Sequence, residues 1–587
     1  HSMLLAFTAD QRFWGTDSRV LFLGEWCRLY SQKHIWSLLD HEVLPYHWDD
    51  REKLYQDYHL LDQIYESCLN QLVEQLNELH QTDFPTRYWQ IIIGPWLFYF
   101  IQVVYDRYLS ICAAEKSGKV TNVLLPKTDS TDWTPKDYSE FKSGVLYDPF
   151  NQYLYSEIIQ FLGNLPHEIT NYSPLSSPKT NATPDKPLVN IVKKFLRLFG
   201  SLQPDKCNEI VFVNSYIKPL ELALLQISLG QLPNPYQPTV ETKSFPTNHA
   251  MRDKITVATG PTVFESLLKK IIPSLLPQVY MEGYQDMRQR AQHVFPGTPK
   301  VIYTTNALYA EEGFKFWTAW HITRGTKLVT SQHGGNHGLA KWSAQETHEI
   351  TVSDKNFTWG WEEKGETRTT PMASGQLISK IKNVKAKVDG NILWVGMSQP
   401  RYSYWLYSIP IGPQFIDYLV DQKYFAEEVS DEVRRLLMYR LYPTDMDDWS
   451  LKDRLKDMLP PIQLYEGPKS IYQQLNEARL CICTYNSTTF LETFAADFPT
   501  LAFWNPNHWE LRPSGEPYFD ELKEVGIFHD TPESAAAKAN IIYQNPIAWW
   551  QSSDVQEVRK KFCKRFARTS PHWISEWKTE LQKLIKS

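Results

Sequence analysis

The chain has 587 residues, of which 42% are hydrophobic and 22% are charged, and its formal net charge at pH 7 is −6. At about 150 residues per domain, this length allows two to four domains with large buried cores. The acidic balance excludes a general nucleic-acid binder, which needs a broad basic face. The seven cysteines include no Cys-x-x-Cys pair and no zinc spacing, so we expect reduced thiols in the cytoplasm and no bound metal.

Apolar runs and helical periodicity predict the elements of the first half. Residues 3–9 and 20–23 are typical of buried strands, and the apolar spacing of three and four over 51–80 indicates a long helix. The apolar stretch 88–112 contains polar and charged residues, so it predicts a buried helix and not a membrane span. The Pro- and Ser-rich segment 173–187 predicts a loop. The other elements predicted here are strands at 119–125 and 209–213 and helices at 137–162, 216–230 and 263–276.

After residue 296, strands alternate with helical or loop segments. The predicted strands lie at 300–304, 327–331, 391–396, 462–465, 479–484 and 500–504. This alternation favours parallel sheets covered by helices. We therefore predict an α/β protein with two Rossmann-like domains in a GT-B arrangement, with helical insertions and a C-terminal helical tail. The predicted limits are 3–290 for the first domain, 297–530 for the second, and 531–587 for helices that return to the first domain.

The segment 328–338 is the most informative in the chain. An apolar run ends there in a turn that contains His333, Gly334 and Gly335. Glycines let backbone N–H groups approach a ligand that a Cβ would block, and open α/β sheets bind ligands at the carboxyl ends of their strands. Because imidazole titrates near neutrality, His333 is a candidate catalytic residue that donates to a phosphate oxygen. The alternative is a hydrogen-bonded turn residue without a chemical role.

A second strand-to-turn junction lies at 479–492. Asn486 or Ser487 predicts a helix N-cap, and the first N–H groups of that helix, with nearby hydroxyls, form an anion site that the helix dipole strengthens. The hydroxyl-bearing residues are Ser487, Thr488 and Thr489. Glu492 falls in the second turn, where a carboxylate can accept both hydroxyls of a ribose. The alternative is a plain capped helix with a solvated Glu492.

Two other residues of the second half are candidates. Arg401 follows the predicted strand 391–396, from where its guanidinium could bind a phosphate or carboxylate, and the alternative is a surface arginine. Glu311 precedes a predicted helix, where a carboxylate more often complements the helix dipole than takes part in catalysis.

The first half contributes a cluster of polar and aromatic residues. Glu25 and Trp26 close a predicted strand, and His47, Trp48, Asp49 and Asp50 follow one another directly. Acids beside tryptophans suit recognition of sugar hydroxyls and general-base work. Glu25 and Asp49 are thus candidate catalytic carboxylates, and Trp26, His47, Trp48 and Asp50 are candidate acceptor contacts. Capping of the following helix by Asp49 or Asp50 is an equally good interpretation.

With these stretches the chain resembles a family of transferases of bacterial O-antigen and capsule loci, related to the capsular Kdo transferases. The resemblance extends over nearly the whole chain. Its motifs are the segments 21–27, 47–51, 87–89 with 94–96, 332–335, 359–361, 486–489 with Glu492, and 526–529. Relatives of this group are similar to retaining transferases of CMP-activated ulosonic or nonulosonic acids, such as Kdo and pseudaminic acid.

The resemblance implies a glycosyltransferase that moves such an acid from its CMP donor to a sugar acceptor in capsule or O-antigen synthesis. It implies donor binding by the second domain and acceptor binding by the first, and no metal or cofactor, since the CMP-sugar is a co-substrate. Ser487 to Thr489 and Glu492 would hold CMP, and His333 would meet its phosphate. Retention would use a carboxylate nucleophile, with Glu25, Asp49 and Glu311 as candidates, or front-side attack.

Two other functions stay open on the sequence alone. A CDP-alcohol phosphotransferase of teichoic-acid type could use the same Ser/Thr-rich helix start, and a non-catalytic scaffold of a capsule assembly complex could retain the fold. The expected partners are the CMP-sugar and an oligosaccharide or lipid-linked acceptor, with no nucleic acid. The expected location is the cytoplasm, compatible with peripheral association at the inner face of the membrane through the assembly machinery.

Overall fold

The structure is a computed structural model that describes residues 2–176, 186–202, 204, 208–234, 237–442 and 449–587. The predicted loop at 173–187 falls partly outside these residues. In the described part, the strands form three sheets, and every pairing within them is parallel. The prediction of an α/β protein with many helices is confirmed. The sequence predicts two Rossmann-like domains, whereas the structure contains a third parallel sheet.

The first sheet has the strand order β3-β2-β1-β4-β5. Its strands are β1 (Met3–Ala6), β2 (Arg19–Phe22), β3 (His41–Val43), β4 (Asn122–Leu125) and β5 (Glu168–Ile169). Among them, β1 is buried along its whole length, as its unbroken apolar sequence predicts.

The middle sheet has the order β10-β9-β8-β7-β6. Its strands are β6 (Ile210–Val213), β7 (Val301–Thr304), β8 (Lys327–Ser331), β9 (Lys355–Thr358) and β10 (Thr369–Pro371). Strand β6 pairs in register with β7, so the predicted boundary at 290–297 falls between two neighbouring strands of one sheet. The domain limits themselves stay a prediction.

The last sheet has the order β13-β12-β11-β14-β15-β16. Its strands are β11 (Asn391–Val395), β12 (Leu437–Arg440), β13 (Gln463–Tyr465), β14 (Ala478–Cys483), β15 (Thr500–Phe503) and β16 (Phe528–His529). In β14, Cys481 and Cys483 lie on the same face, with their Sγ atoms 3.8 Å apart, as the period of two predicts.

Helices cover the sheets and connect their strands. Those up to the end of the middle sheet are α1 (Lys33–Trp36), α2 (Arg51–His80), α3 (Thr86–Ser117), α4 (Tyr138–Val145), α5 (Asp148–Leu162), α6 (Pro187–Ser201), α7 (Pro219–Ser228), α8 (His249–Arg252), α9 (Val263–Leu275), α10 (Tyr284–Val294), α11 (Glu312–Ile322), α12 (Ala344–Val352) and α13 (Gly375–Lys380). Those after it are α14 (Gln414–Glu428), α15 (Asp431–Leu436), α16 (Leu451–Met458), α17 (Ile471–Leu475), α18 (Thr488–Ala495), α19 (Glu516–Glu524), α20 (Pro532–Ile542), α21 (Pro546–Trp550), α22 (Ser553–Phe566) and α23 (Trp573–Lys586).

Helix α3 is the central packing element of the first half. It contacts α2, α5, α11 and α12 and is buried on all sides over most of its length, which connects the first sheet to the middle one. A helix that is apolar all round belongs in a core or a membrane. Within the described residues, no helix combines the length and apolarity that crossing a bilayer requires.

The middle and last sheets face one cleft, into which the turns after β8 and β14 project. Helix α23 returns to the middle sheet, where it packs on α7 and β7, and Trp577 contacts the rings of Tyr303 and Phe357. Two parallel sheets across a cleft, with a last helix that crosses back, form the expected GT-B arrangement. The first sheet is an addition at the amino-terminal end.

Candidate functional site

The turns after β8 and β14 touch each other. The backbone N–H of Gly335 donates to Thr488 Oγ1 at 3.0 Å. A Cβ on Gly335 would lie 2.1 Å from the carbonyl oxygen of Ser487, so only glycine allows this approach. The two segments that the sequence singled out independently therefore form one site, with one turn contributed by each sheet.

Gln332 holds the first turn in place. Its side-chain oxygen accepts hydrogen bonds from Trp359 N at 3.0 Å and Trp361 Nε1 at 2.8 Å, and its amide nitrogen donates to Gly334 O at 2.8 Å. This network joins two motifs that lie far apart in the sequence. It fixes the backbone on both sides of His333 without engaging the imidazole.

The second turn opens helix α18. Ser487 is its N-cap residue, and its side chain makes no capping hydrogen bond. The Oδ1 atom of Asn486 is buried and accepts no hydrogen bond from the protein. First-turn N–H groups carry partial positive charge and bind anions. The start of α18 is therefore available to an anionic ligand in the cleft.

His333 is paired with a buried carboxylate. Its Nε2 atom lies 3.5 Å from Glu349 Oε2 on α12, and Tyr309 donates to the same oxygen at 2.8 Å. Burial alone lowers the pKa of His333, but the charge of Glu349 and its hydrogen bond together outweigh burial, so this pKa is raised above the ordinary histidine value. A cationic imidazole is thus favoured beside the helix start.

His337, in the same turn, has the opposite tendency. Its ring centroid lies 5.0 Å from that of His333. Burial, reinforced by the charge of His333, lowers the pKa of His337 to about 3. The turn therefore presents one imidazole that favours the charged form and one that stays neutral.

The cleft around these turns has a volume of about 470 Å³. Among the described residues that line it, none carries a carboxylate. Besides His333, the lining includes Lys142 from α4, whose ammonium lies 5.6 Å from the ring centroid of Trp405. Burial lowers the pKa of Lys142. A cleft lined by one lysine and two histidines and by no acid fits a ligand that carries negative charge.

Sequence reasoning missed several residues of this cleft. Lys142, Trp405, Tyr407 and Trp509 line it, but none belongs to a glycine-rich turn or a helix start. Tyr407 also donates to or accepts from Tyr99 on α3 at 2.9 Å. The high tryptophan and tyrosine content of the chain was a signal, but it did not indicate which rings would face the cleft.

Three residues that were predicted to bind the CMP-sugar lie outside this lining. Arg401 is 1% exposed, contacts both carboxylate oxygens of Asp148 at 2.6 Å and donates to Trp26 O. Its guanidinium therefore connects the last sheet to the first. A buried guanidinium needs a charged partner, and Asp148 is that partner. Arg401 is not positioned to meet a donor phosphate, contrary to the prediction.

Thr489 and Glu492 are on α18 but do not line the cleft. Tyr485 and Thr489 share a hydrogen bond through their hydroxyls at 3.2 Å. Tyr472 donates to the Glu492 carboxylate, and burial raises the pKa of Glu492. Glu492 is thus not solvated, which differs from the alternative of a plain capped helix. It is also not among the cleft residues that would contact a ribose.

Glu311 precedes α11 at its N-cap position without a side-chain capping bond. It does not line the cleft, and burial raises its pKa. The neighbouring Glu312 is fully buried and pairs with Lys315 at 2.9 Å. In this structure the position of Glu311 fits the dipole interpretation better than a catalytic one.

The structure places the N-terminal candidates apart from the cleft. Glu25 and Asp49 share a separate hollow of about 350 Å³, where Arg28 pairs with Glu25. Asp49 accepts a hydrogen bond from Gln414 at 3.1 Å. These two carboxylates lie in one hollow but not beside His333.

The four predicted acceptor contacts have structural partners. Trp26 and Trp48 are buried, and their indole nitrogens donate to Phe7 O and Asp57 Oδ2. His47 Nε2 lies 3.0 Å from Asp106 Oδ1. Asp50 accepts from Lys53 N at 3.1 Å and caps α2. Burial prevents the two indoles from stacking on a sugar in this conformation, and the capping interpretation holds for Asp50.

No group of three or more His, Cys, Asp or Glu side chains with a metal-binding arrangement occurs in the described parts of the chain. The basic groups of the cleft are the ones available to neutralise an anion there. That the reaction uses no metal stays a prediction.

Comparison with known proteins assigns the family. The model of the LIC12162 family transferase matches residues 3–581, and the chain therefore belongs to this transferase family. The expectation of a transferase is confirmed, whereas the relationship to Kdo and pseudaminic acid transferases stays a prediction. No curated protein matches the chain in sequence.

Solved structures resemble the chain only distantly. MurG of Acinetobacter baumannii shares 12% identity at a TM-score of 0.31, over 64% of this chain and 99% of its own. The wall teichoic acid polymerase TagF shares 12% identity at a TM-score of 0.31, over 68% and 96%. A Listeria monocytogenes protein provisionally named a UDP-N-acetylglucosamine 2-epimerase shares 12% identity at 0.34, over 60% and 94%. Likenesses of this size assign neither substrate nor reaction.

Proposed function

We propose that this member of the LIC12162 transferase family is a glycosyltransferase that moves a nonulosonic or ulosonic acid from its CMP donor to a sugar acceptor. The donor sugar is of the pseudaminic acid type or Kdo, and the pathway is capsule or O-antigen synthesis. The observation that carries the proposal is the hydrogen bond from Gly335 to Thr488. This contact brings His333, whose charged form is favoured, and the open start of α18 into one cleft.

The departing CMP explains the use of these groups. When the bond between the sugar and the phosphate breaks, negative charge grows on the phosphate oxygen. The first N–H groups of α18 and protonated His333 would stabilise that charge, and such preorganised donors are worth several kcal/mol in a transition state. His333 can also give its proton to the leaving phosphate, because its pKa is raised.

The charge of the cleft supports an acidic sugar. A CMP-nonulosonate carries one negative charge on its phosphate and another on its sugar carboxylate. His333 and Lys142 provide two basic groups in a lining without acids. We assign the phosphate to His333 and the sugar carboxylate to Lys142.

We further propose that the reaction retains the anomeric configuration by front-side attack. A double displacement needs a carboxylate nucleophile in van der Waals contact with the anomeric carbon. Glu25, Asp49 and Glu311 do not line the cleft, which favours the single-step alternative. In this scheme the acceptor hydroxyl approaches on the side from which CMP departs.

Release of the nucleotide from its sugar measures the function directly. The purified chain is incubated with CMP-pseudaminic acid, CMP-Kdo or UDP-N-acetylglucosamine together with a panel of sugar acceptors, and free nucleotide is detected by mass spectrometry. We expect acceptor-stimulated release of CMP from one acidic donor and no release of UDP. Release of nucleotide only from the UDP-sugar would contradict the proposed donor class.

A thermal-shift series separates the other two functions. Stabilisation by CMP and CTP, without an effect of UDP or GDP, agrees with the proposal. Stronger stabilisation by CDP-glycerol than by CMP would favour a CDP-alcohol phosphotransferase, and no response to any nucleotide would favour a scaffold.

A further inference from the structure

Helix α6 presents its apolar side to solvent. Along Pro187–Ser201, its apolar residues fall on one half of the helix circumference at 100° per residue, and its basic residues fall on the other half. Most of the apolar side chains are exposed, with Ile191 at 63% and Phe195 at 67%, whereas Lys193 and Arg197 are half-buried. A helix that packs on a core has the reverse orientation.

Further exposed apolar side chains follow α6 in the sequence. Most of the large apolar side chains that are exposed in the described residues lie between Leu188 and Leu232. On α7, Leu220, Leu224 and Ile227 are exposed and recur at spacings of four and three. Large apolar surfaces of this kind mark interaction sites in proteins that are otherwise well packed.

The charge of this helix selects among possible partners. Between residues 186 and 202 there are four basic residues and no acidic one, although the whole chain is acidic. The basic side chains are Lys186, Lys193, Lys194 and Arg197. An apolar half with basic residues beside it is the pattern of helices that lie in the interface of an anionic membrane.

We propose that α6 binds the protein to the surface of an anionic phospholipid bilayer. Ile191, Phe195 and Leu198 would enter the boundary between headgroups and acyl chains, and Lys186 and Lys194 would contact lipid phosphates. This proposal concerns a surface outside the cleft lining and does not rest on the identity of the donor.

The position of α6 gives the contact a use in the reaction. The charge of Arg197 acts on Glu311, and Asn306, on the same loop between β7 and α11, lines the cleft. Bilayer contact through α6 would bring the rim of the cleft towards the lipid surface. In combination with the proposed glycosyltransferase activity, this favours a lipid-linked acceptor.

Vesicle flotation of the full chain tests the proposal. Vesicles of phosphatidylethanolamine with phosphatidylglycerol are compared with vesicles of phosphatidylcholine alone. We expect flotation with the anionic vesicles, weakened by salt, and at least tenfold weaker binding to phosphatidylcholine. Failure of the wild-type chain to float, or equal binding to both kinds of vesicle, overturns the proposal.

Two double variants identify the surface. Ile191→Glu with Phe195→Glu should reduce binding at least tenfold, because two apolar side chains are lost from the interface. Val388→Glu with Ile541→Glu is the matched control, since these residues are 71% and 76% exposed and the change in net charge is the same. Equal loss in both variants, or no loss in the first, overturns the assignment.

Gel filtration examines self-association as the other explanation of the apolar face. We expect the same elution volume for the wild-type chain and the Ile191→Glu, Phe195→Glu variant. An oligomer that this variant dissociates, together with no flotation of the wild-type chain, would assign α6 to a second copy and overturn the membrane proposal.

Discussion

His333 follows strand β8, and Glu25 follows strand β2, so in both places polar residues come directly after a buried strand. After β8, the side chains line a cleft whose opposite wall is the start of α18. After β2, Trp26 is buried under the first sheet, and Glu25 pairs with Arg28. In this molecule a strand-to-turn motif forms a cleft only where a second sheet presents its own turn across from it.

The largest effect is expected for His333→Gln. Removing the cation that faces the departing phosphate should lower kcat by about a thousandfold, the size typical of a lost charge-stabilising donor. Steady-state kinetics of CMP release measure this. The control is His337→Gln in the same turn, whose ring stays neutral because its pKa is about 3, and we expect a loss below about tenfold there. Equal losses in both variants would remove the distinction between the two histidines.

Gly335→Ala tests the contact between the two turns. The new Cβ would lie 2.1 Å from the Ser487 carbonyl oxygen, so the turns must separate, and displacements of about 1 Å can cost about a hundredfold in rate. Gly297→Ala is the matched control, because a Cβ there meets nothing within 4 Å. Turnover is measured for both, and thermal unfolding confirms that both fold. An unaffected Gly335→Ala enzyme would show that the junction is dispensable.

Glu349→Gln should change the pH dependence of kcat. Glu349 raises the pKa of His333, and the active form is the protonated imidazole, so activity falls as pH rises through this pKa. Without the carboxylate the pKa drops, and the falling limb of kcat against pH moves to lower pH. At neutral pH we expect about a tenfold lower rate, the effect of roughly one pKa unit or more. An unshifted limb would mean that another group controls it.

Asp50→Ala should have the smallest effect and concerns stability alone. The loss of the hydrogen bond to Lys53 N at the start of α2 should reduce the free energy of unfolding by about 1 kcal/mol, with turnover unchanged. Asp50→Asn keeps the cap, because asparagine caps as well as aspartate, but it removes the charge. Chemical denaturation and kinetics are measured for both. A loss of turnover in both variants would restore Asp50 to the acceptor site.

The sequence predicted those parts of the fold that depend on local pattern. The helix at 51–80 has the predicted bounds because Asp50 caps it and its apolar period is unbroken. The strand at 327–331 is also confirmed, and its last four residues are buried. Short strands such as β3 and β16 were missed, because two or three residues carry no period and only pairing with a neighbour defines them.

The site was predictable where backbone geometry required special residues. Gly334, Gly335 and Ser487 stood out because a close approach and a helix start leave marks in the sequence. Lys142 did not, because a lysine on a helix gives no sign of which cavity it enters. Arg401 misled for the same reason, since its partner Asp148 lies more than 250 residues away in the chain. Long-range pairs of this kind are visible only in the folded molecule.

A crystal structure of the chain with bound CMP would locate the donor site. We expect the phosphate at the start of α18, within hydrogen-bond distance of the backbone N–H of Thr488 and of the His333 imidazole. We expect the cytidine to occupy the cleft between the middle and last sheets. CMP bound in the hollow beside Glu25 and Asp49, or no bound nucleotide at saturating concentration, would contradict the assignment of the donor site.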